Sequence, residues 1–353
     1  MNILTGIKTA NLKVTKEVLK LSDSVRDTSL SLIDRVESFE DIMSLEVGDT
    51  SLTRARALER EYDIHQLYIK YEGENPSGTQ KDRIAFAQVL DALRRGYSKI
   101  VVATCGNYGV AVAYAAFLAG IECEIFIPKN YHTDRISEME NFNARIMRLE
   151  GTYEDNVYAS SKIALDNQLY DANPGGANTP LQIAVYSEIA YEIYDDLRDA
   201  PKYLACPVSN GTLIAGVYRG FEKLFKRGKT SRIPVMVAAS STKKNPIVTS
   251  FLAGLDYCKD LDTNRIKETK INEPLINWHS FDGDEAIYAI RNTGGYAFHI
   301  NDQKMKEMST ILNMKEGMRV LPASTAGLIA LLKLNEEKEF ANDRYIAIIT
   351  GKY

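Results

Sequence analysis

A lysine at position 81 lies where a loop meets a predicted helix. It belongs to the segment Asn75–Arg83, whose Pro, Ser, Gly and Thr residues are typical of a turn, and this segment follows the strand-like run Leu67–Tyr71. Backbone N–H groups at a helix N-terminus disfavour the protonated form of a nearby amine. A lysine with a lowered pKa can form a Schiff base with an aldehyde cofactor, although most lysines flanked by Asp and Arg are simply solvated surface groups.

Three further segments follow predicted strands and carry groups that bind ligands. The loop Thr104–Tyr108 contains a Gly106-Asn107 turn, which offers backbone N–H groups and an amide side chain. A second turn suits a phosphate, because its amides point at one place and the following helix dipole favours an anion; it consists of Val208, Ser209, Asn210, Gly211 and Thr212. At the C-terminus, the hydroxyl of Thr350 follows a buried strand. Each segment alone is also compatible with an ordinary bend, but their joint occurrence is more specific.

The elements that position these groups alternate between strands and helices. Ile100–Ala103 is predicted as a strand, Thr104–Gly109 as a loop, and Val110–Leu118 as a helix closed by Gly120. Glu122–Ile127 is then an alternating strand stopped by Pro128. This βαβ unit requires a parallel sheet and a right-handed crossover.

The same alternation continues along the chain. The further predicted strands are Ala144–Leu149, Lys202–Cys206, Pro234–Ser240 and Tyr345–Ile349. The further predicted helices are Glu154–Gln168, Thr179–Leu197, Leu213–Lys226 and Ala323–Leu334, with polar helical fragments at Lys13–Leu21 and Leu30–Phe39. The pattern predicts an α/β fold with mostly parallel sheets, in which ligands bind beyond the carboxyl ends of the strands.

Composition excludes several classes of function. The chain has 353 residues and a formal net charge of −4, which gives no long-range attraction for nucleic acid or an acidic membrane. No apolar run approaches the ~20 residues of a membrane helix, and no secretory signal is recognised. The four cysteines have no paired spacing and the four histidines form no cluster, so we expect no metal and free thiols in a cytoplasmic protein.

Taken together, the motifs from about Met43 to Gly351 resemble those of the fold-type II pyridoxal-phosphate enzymes, and among these most resemble the threonine synthases. Asn75–Arg83 is similar to the family's Asn-Pro-Thr-Gly-Ser-Phe-Lys-Asp-Arg motif, and Thr104–Asn107 is similar to its Ser-Ser-Gly-Asn loop. Pro207–Gly216 resembles the phosphate loop, and Thr350-Gly351 resembles the Thr-Gly pair that faces the pyridine nitrogen. Two weaker matches are Ser44–Leu52 with a Gly-x-Thr-Pro-Leu opening, and Glu316-Gly317 with Pro322–Ala326 for a Glu-Gly…Pro-Ala-Ser segment.

The resemblance implies a fold, a cofactor and a set of site residues. The implied fold has two open, twisted, mostly parallel sheets with flanking helices. The implied domains are an N-terminal extension at 1–45, a large pyridoxal-phosphate-binding domain at 46–90 and 178–353, and a small domain at 91–177. Lys81 is the implied Schiff-base lysine and general base. The other implied cofactor contacts are Asn107, Val208, Ser209, Asn210, Gly211, Thr212 and Thr350, and the candidate substrate contacts are Thr79, Thr104, Cys105, Gly106, Tyr108, Asn178 and Thr179.

Departures from the family pattern concern the substrate more than the cofactor. Cys105 stands where serine or threonine is usual, Gln80 replaces an aromatic residue, and the phosphate loop is poorer in glycine. Cys105 is either a reactive thiol or an inert small hydrophobe. The leading hypothesis is pyridoxal-phosphate-dependent elimination or replacement on a small activated amino acid, including O-phosphorylated ones, by a homodimeric threonine synthase-like enzyme. The alternatives are a β-replacement synthase of the cysteine synthase kind, a serine or threonine deaminase, or a catalytically silent cofactor-binding protein.

Overall fold

The computed structural model describes residues 14–104, 106–131, 133 and 135–353. These residues form strands and helices that mostly alternate, with successive helices at the N-terminus and at three later places. In chain order they are α1 (Lys16–Arg26), α2 (Leu32–Glu46), β1 (Leu52–Arg54), α3 (Arg56–Glu61), β2 (Leu67–Tyr71), α4 (Lys81–Arg94), β3 (Lys99–Ala103), α5 (Asn107–Ala119), β4 (Glu122–Pro128), α6 (Ile136–Asn141), β5 (Arg145–Leu149), α7 (Tyr153–Asp166), β6 (Tyr170–Asp171), α8 (Thr179–Tyr186), α9 (Glu188–Leu197), β7 (Tyr203–Pro207), α10 (Thr212–Lys226), β8 (Val235–Ser241), α11 (Pro246–Leu252), α12 (Gly283–Asn292), β9 (Tyr296–Ile300), α13 (Asp302–Glu316), α14 (Ala326–Lys338) and β10 (Tyr345–Ile349).

The chain divides into two units, each of which has its own sheet. Unit 1 comprises the described residues up to Gly48 together with Asn75–Leu181, and unit 2 comprises Asp49–Glu74 together with Gln182–Tyr353. The sequence assigned residues 75–90 to the domain that contains the C-terminal half, whereas by their contacts they group with unit 1. The physical reason is that α4 packs on the apolar helices of unit 1: the Phe86 ring lies 5.9 Å from that of Phe39 and 5.7 Å from that of Tyr114.

Unit 1 is built on a parallel four-stranded sheet in the order β5-β4-β3-β6. Helix α5 is apolar on all sides and is almost entirely buried, as expected of a helix at the centre of a domain. The N-terminal helices cover its C-terminal end: the Ser22 hydroxyl donates to the Leu118 carbonyl at 2.8 Å, and the Tyr114 hydroxyl donates to Glu46 at 3.0 Å. The N-terminal segment, as far as it is described, therefore packs on the body of unit 1.

Unit 2 is built on a six-stranded sheet in the order β1-β2-β10-β7-β8-β9. Only β1 runs antiparallel to its neighbour. Helix α14 packs on β7, β8 and β10 with buried Leu and Ile side chains, which exclude water from that face of the sheet. Two parallel-rich sheets with flanking helices confirm the predicted fold class.

Most of the predicted elements occur close to their expected limits, and β2 and β10 have the predicted bounds. Two local predictions were wrong. The loop Thr104–Gly109 is shorter than expected, because α5 already begins at Asn107. The single helix predicted over Thr179–Leu197 is interrupted at Ser187, whose hydroxyl bonds back to the Ala184 carbonyl and competes with the regular helical pattern.

Within the described ranges, no helix is both long enough and apolar enough to cross a membrane.

Candidate functional site

Lys81 is the first residue of α4, and the loop before it is folded onto the start of that helix. Gly78 adopts a φ of +89°, and its N–H donates to the Asn75 carbonyl at 2.8 Å, which closes the turn. The Lys81 N–H donates to the Thr79 hydroxyl oxygen at 3.2 Å. The Lys81 side chain is half-buried, and its Nζ lies 5.6 Å from the centre of the Tyr108 ring. The candidate lysine is thus the first residue of a helix, and its amine lies beside an aromatic ring.

Asp82, the residue after the lysine, is completely buried. Its Oδ2 accepts hydrogen bonds from the N–H and the hydroxyl of Ser77, at 3.0 and 2.9 Å. Its Oδ1 has no hydrogen-bond partner in the part of the chain that the structure describes. Burial raises the pKa of this carboxyl to about 7, against the opposing effects of the Ser77 hydrogen bonds, the Thr79 backbone N–H and the charge of Arg135. A carboxyl that titrates near neutrality therefore stands next to the candidate lysine.

Asn107 begins α5, directly after the loop that follows β3. The guanidinium of Arg135 donates to its Oδ1 and also forms two hydrogen bonds with Glu138, both 3.0 Å long. Because an arginine side chain only donates, the oxygen of the Asn107 amide faces Arg135, and the NH₂ group is directed elsewhere as a donor. The preceding Gly106 has a φ of −158° and a ψ of −121°, and Thr104 continues the sheet by donating its N–H to the Phe126 carbonyl at 3.0 Å. Cys105 lies outside the described residues.

The remaining candidate substrate residues of unit 1 differ in how far their polar atoms are engaged. The Tyr108 hydroxyl donates to the Ala172 carbonyl at 2.8 Å and accepts from Gln88, and burial raises its pKa well above the usual value. Asn178 donates to the Asp171 carbonyl at 2.6 Å and accepts from Arg95 at 3.3 Å.

Thr179 presents the opposite case. Its Oγ1 is buried and has no hydrogen-bond partner within the described residues. A buried hydroxyl of this kind is costly unless a ligand or a water completes its bonding. The Thr179 hydroxyl is therefore not used within the described part of the fold, whereas Tyr108 and Asn178 have their polar groups engaged there.

In unit 2, the turn Val208–Thr212 joins the carboxyl end of β7 to the N-terminus of α10. We call these five residues the phosphate turn. Gly211 has a φ of +100°, and a Cβ atom at this position would lie 2.7 Å from the carbonyl oxygen of Asp282. Only glycine fits this conformation and this close approach. The Thr212 hydroxyl donates to the Asp282 carboxylate, so that side chain is directed to the protein.

Hydrogen-bond donors from other segments of unit 2 bind the carbonyl oxygens of this turn. The Ser209 carbonyl accepts from Asn245 Nδ2 and from the Ser280 hydroxyl, both at 3.0 Å, and the Asn210 carbonyl accepts from the Asp282 N–H at 3.0 Å. In a trans peptide the N–H points opposite to the C=O. The N–H groups of Asn210 and Gly211 therefore point away from the groups that bind the Ser209 and Asn210 carbonyls. They point to one side of the turn, where the N-terminus of the 15-residue helix α10 favours an anion.

Thr350 lies at the same edge of the unit 2 sheet. Strands β10 and β7 are parallel neighbours, with Ala347 opposite Ala205. Continuing this register brings Thr350 level with Val208, at the start of the phosphate turn. Thr350 is half-buried, and its hydroxyl forms no hydrogen bond with any described residue. Unit 2 thus combines an anion cradle with a nearby hydroxyl.

Several supporting residues were missed by the sequence analysis. They are Asp82, Arg135, Asn245, Asn277, Ser280 and Asp282. Asn245-Pro246 is a recognisable helix start, and Asp82 adjoins Lys81, so both could have been noticed. The other four form hydrogen bonds with site residues that lie 28 to 71 positions away in the sequence. No local sequence pattern predicts such contacts. Unit 1 thus offers an amine and an amide donor, and unit 2 offers a glycine-containing turn at a helix N-terminus and a hydroxyl.

Comparison with known proteins supports a pyridoxal-phosphate-dependent enzyme. The family model described as pyridoxal-phosphate dependent enzyme matches residues 43–351. Threonine synthase from Methanocaldococcus jannaschii is 29% identical over 311 residues, which cover 88% of this chain and 75% of that protein.

Among solved structures, maize serine racemase superposes with a TM-score of 0.72 at 19% identity, covering 91% of this chain and 94% of that one. The processed form of threonine deaminase isoform 2 from Solanum lycopersicum gives a TM-score of 0.72 at 14% identity, covering 97% of this chain and 86% of that one. At such low identities, these two likenesses show the fold alone.

Proposed function

This chain belongs to the pyridoxal-phosphate-dependent enzyme family, and from that premise we propose that it catalyses elimination or replacement on a small activated amino acid, in the manner of a threonine synthase. Its cofactor is pyridoxal 5′-phosphate. The observation that carries the proposed reaction class is the similarity to threonine synthase along 88% of the chain. The proposed substrates include O-phosphorylated amino acids.

The residues present fit this cofactor. When bound, pyridoxal phosphate supplies an electron sink for the substrate's α-carbon. Lys81 would hold the cofactor covalently and, once released by the substrate amine, would take the α-proton as general base. The Asn107 NH₂ group, turned away from Arg135, would donate to the phenolic oxygen of the ring. These two roles account for the amine and the amide at the start of α4 and α5.

The phosphate turn would bind the phosphate group of the cofactor. The proposed contacts are Val208, Ser209, Asn210, Gly211 and Thr212. Support comes from the anchored carbonyls of Ser209 and Asn210, which direct the N–H groups of the next residues to one side, and from the helix dipole of α10. The Val208 N–H donates to the Ala239 carbonyl, so Val208 would line the site without donating its N–H. Because the Thr212 hydroxyl is donated to Asp282, we assign the Thr212 contact to its backbone N–H.

Thr350 would face the pyridine nitrogen. A neutral hydroxyl cannot transfer a full proton to this nitrogen, as a carboxylic acid would, so the ring is a weaker electron sink. A weaker sink favours elimination and replacement at the β or γ carbon over transamination. This argument supports the lyase or synthase class over an aminotransferase.

The proposed substrate contacts lie in unit 1. The substrate carboxylate would rest on the backbone amides of Cys105, Gly106 and Asn107, an electrostatic clamp of the oxyanion-hole kind. Thr104 would contribute its side chain instead, because its N–H donates to the Phe126 carbonyl. Further proposed contacts are Thr79, Tyr108, Asn178 and Thr179. Tyr108 would act through its ring rather than its hydroxyl, because that hydroxyl is bonded within the fold. Thr179 is the strongest of the four, since its buried hydroxyl retains its full hydrogen-bonding capacity.

A screen of amino acids and their O-phospho and O-acyl esters tests the proposal. The purified holoenzyme is mixed with each compound while its visible absorbance is followed, and inorganic phosphate, sulfide consumption and ammonia are then assayed. Phosphate release from O-phosphohomoserine supports the threonine synthase-like reaction. Sulfide consumption with an activated serine would instead indicate a cysteine synthase-like enzyme, ammonia release would indicate a deaminase, and a coloured protein without turnover would indicate a silent cofactor-binding protein.

We also propose that the protein is a cytoplasmic homodimer. The absence of paired cysteine spacing and the family resemblance support this assignment. Light scattering coupled to gel filtration should give twice the 39.5 kDa chain mass, and a monomer mass would contradict it.

A further inference from the structure

We infer that Asn245 is a positioning residue for the cofactor phosphate: it holds the carbonyl side of the phosphate turn so that the N–H side faces the anion. This inference rests on the proposed function. Asn245 lies 33 or more positions after the turn and precedes α11, so it belongs to none of the motifs that announce the site. It is completely buried.

The geometry assigns this role to its amide nitrogen. Asn245 Nδ2 lies 3.0 Å from the Ser209 carbonyl oxygen and 3.5 Å from that of Val208. It also lies 2.9 Å from Asn277 Oδ1 and 3.2 Å from the Leu275 carbonyl. Its two amide protons are therefore shared among acceptors of the turn and of the 275–277 segment. The Asn245 amide thus links the turn to that segment by hydrogen bonds.

A second layer holds Asn245 in place. Asn277 receives the Asn245 amide and directs its own NH₂ group to the Ser280 hydroxyl at 3.0 Å and to the side chain of Asn210 at 3.1 Å. Ser280 then donates back to the Ser209 carbonyl at 3.0 Å. These groups expose 5% of their surface or less, apart from the half-buried turn residues themselves. A buried, satisfied network of this kind fixes one conformation.

Because the peptide bonds are trans, fixing the carbonyl groups of the turn also fixes the direction of its N–H groups. The peptide bonds that the structure describes are trans. When the carbonyls of Val208 and Ser209 point to Asn245, the N–H groups on the opposite side of the same peptide planes point away from it. Loss of the Asn245 amide would let these planes rotate, and the N–H groups would no longer converge on the phosphate.

The two ends of the Asn245 side chain have different tasks. Its Oδ1 accepts from the Val248 N–H at 3.3 Å and caps α11, while its Nδ2 holds the turn. Serine also caps helices well, but its short hydroxyl lacks the two amide protons. The variant Asn245→Ser therefore removes the anchor and keeps a helix cap.

Asn301 offers a matched control. It caps α13 in the same unit by accepting from the Lys304 N–H at 2.9 Å, and it is exposed. Asn301→Ser makes the same chemical change away from the phosphate turn. Wild type and both variants are purified as full chains, and pyridoxal phosphate binding is measured by equilibrium dialysis, with the ³¹P resonance of the bound phosphate as a second readout.

For Asn245→Ser we expect pyridoxal phosphate to bind at least about tenfold more weakly, the effect of losing roughly one buried hydrogen bond. We also expect the bound ³¹P resonance to move towards that of the free cofactor, while pyridoxal without a phosphate binds as to wild type. Asn301→Ser should match wild type in all three measurements.

An unchanged affinity and ³¹P resonance in Asn245→Ser would overturn the inference, and so would an equal loss for pyridoxal and pyridoxal phosphate. If Asn245→Ser does not fold, Ser280→Ala takes its place, with an expected weakening of about threefold, and no change there would overturn the inference as well. If wild type itself binds no pyridoxal phosphate, the proposed function and the inference fail together, which separates that outcome from a failure of Asn245 alone.

Discussion

The phosphate turn in unit 2 and the Lys81 region in unit 1 are held in place by different kinds of groups. Neutral amides and hydroxyls surround the turn, and three of them, Asn245, Asn277 and Ser280, expose 0%, 3% and 5% of their surfaces. Charged and titratable groups support the loop before Lys81 and the Asn107 amide. Arg135 and Glu138 expose about a quarter of their side chains, and the buried carboxyl of Asp82 has a pKa raised to about 7.

This difference matches the tasks proposed for the two regions. Binding a phosphate requires N–H groups in constant positions, and a neutral network that does not titrate provides them at any physiological pH. Proton transfer at Lys81 requires groups whose charge changes or responds to its surroundings, which buried carboxyls and ion pairs provide. We therefore expect changes in unit 1 to alter chemistry and pH dependence, and changes in unit 2 to alter cofactor affinity.

The largest effect is expected for Lys81→Ala. This variant loses the covalent anchor and the general base together, so turnover should fall by at least about 10³-fold. Borohydride treatment should fix the cofactor to the peptide that contains Lys81 in wild type, and to no peptide in the variant. Lys129→Ala, which removes an exposed lysine paired with Glu150, is the control and should behave as wild type. Normal borohydride labelling of Lys81→Ala would show that the anchor is another lysine.

Gly211→Ala should chiefly affect cofactor affinity. The new Cβ would meet the Asp282 carbonyl oxygen at 2.7 Å in a backbone with φ of +100°, so the turn must move. We expect pyridoxal phosphate to bind about 100-fold more weakly, as a strained turn of 1–3 kcal/mol implies. Gly228→Ala is a matched control, because Gly228 has a φ of +64° with no atom within 4 Å of the added carbon. Equal affinities of the two variants would contradict the assigned role of the turn.

Asp82→Asn should change how stability depends on pH. A carboxyl whose pKa is raised from 3.8 to about 7 in the folded protein stabilises it fully below about pH 4, and this contribution is lost as pH rises through 7. Between pH 5 and 8, wild type should therefore lose about 2–3 kcal/mol of unfolding free energy relative to the variant. Urea unfolding of both proteins across this range measures the difference. Parallel curves would show that Asp82 does not titrate there.

A smaller effect is expected for Arg135→Met, which keeps an apolar stem and removes the donors to Asn107 and Glu138. The Asn107 amide can then rotate, so we expect the visible absorbance maximum of the bound cofactor to shift and kcat to fall about 3- to 10-fold. The charge of Arg135 lowers the pKa of Asp82. Removing Arg135 should therefore raise that pKa, and the loss of unfolding free energy caused by ionisation of Asp82 should occur at higher pH. Arg145→Met, on an exposed arginine, is the control. An unshifted spectrum would argue against a positioning role for Arg135.

Local patterns in the sequence predicted the elements best where strands are short, apolar and bounded by turn residues. Strands β2 and β10 occur as predicted, and α5 ends at Gly120 with a φ of +68° as expected of a helix C-terminus. The break at Ser187 was not predicted, because a serine within an apolar helical pattern does not by itself show which carbonyl its hydroxyl will reach. The division at residue 75 depends on aromatic packing of α4, which is again a non-local contact.

The groups that carry the proposed chemistry could be found in the sequence alone, since an amine, an amide, a glycine-containing turn and a hydroxyl each follow a recognisable strand. Only the tertiary structure showed which residues hold those groups in position. Asn245 reaches the turn across 36 residues, Ser280 across 71, and Arg135 reaches Asn107 across 28. Turn chemistry is local and therefore visible in neighbouring residues, whereas the orientation of a peptide plane or an amide depends on partners that only folding brings within hydrogen-bonding distance.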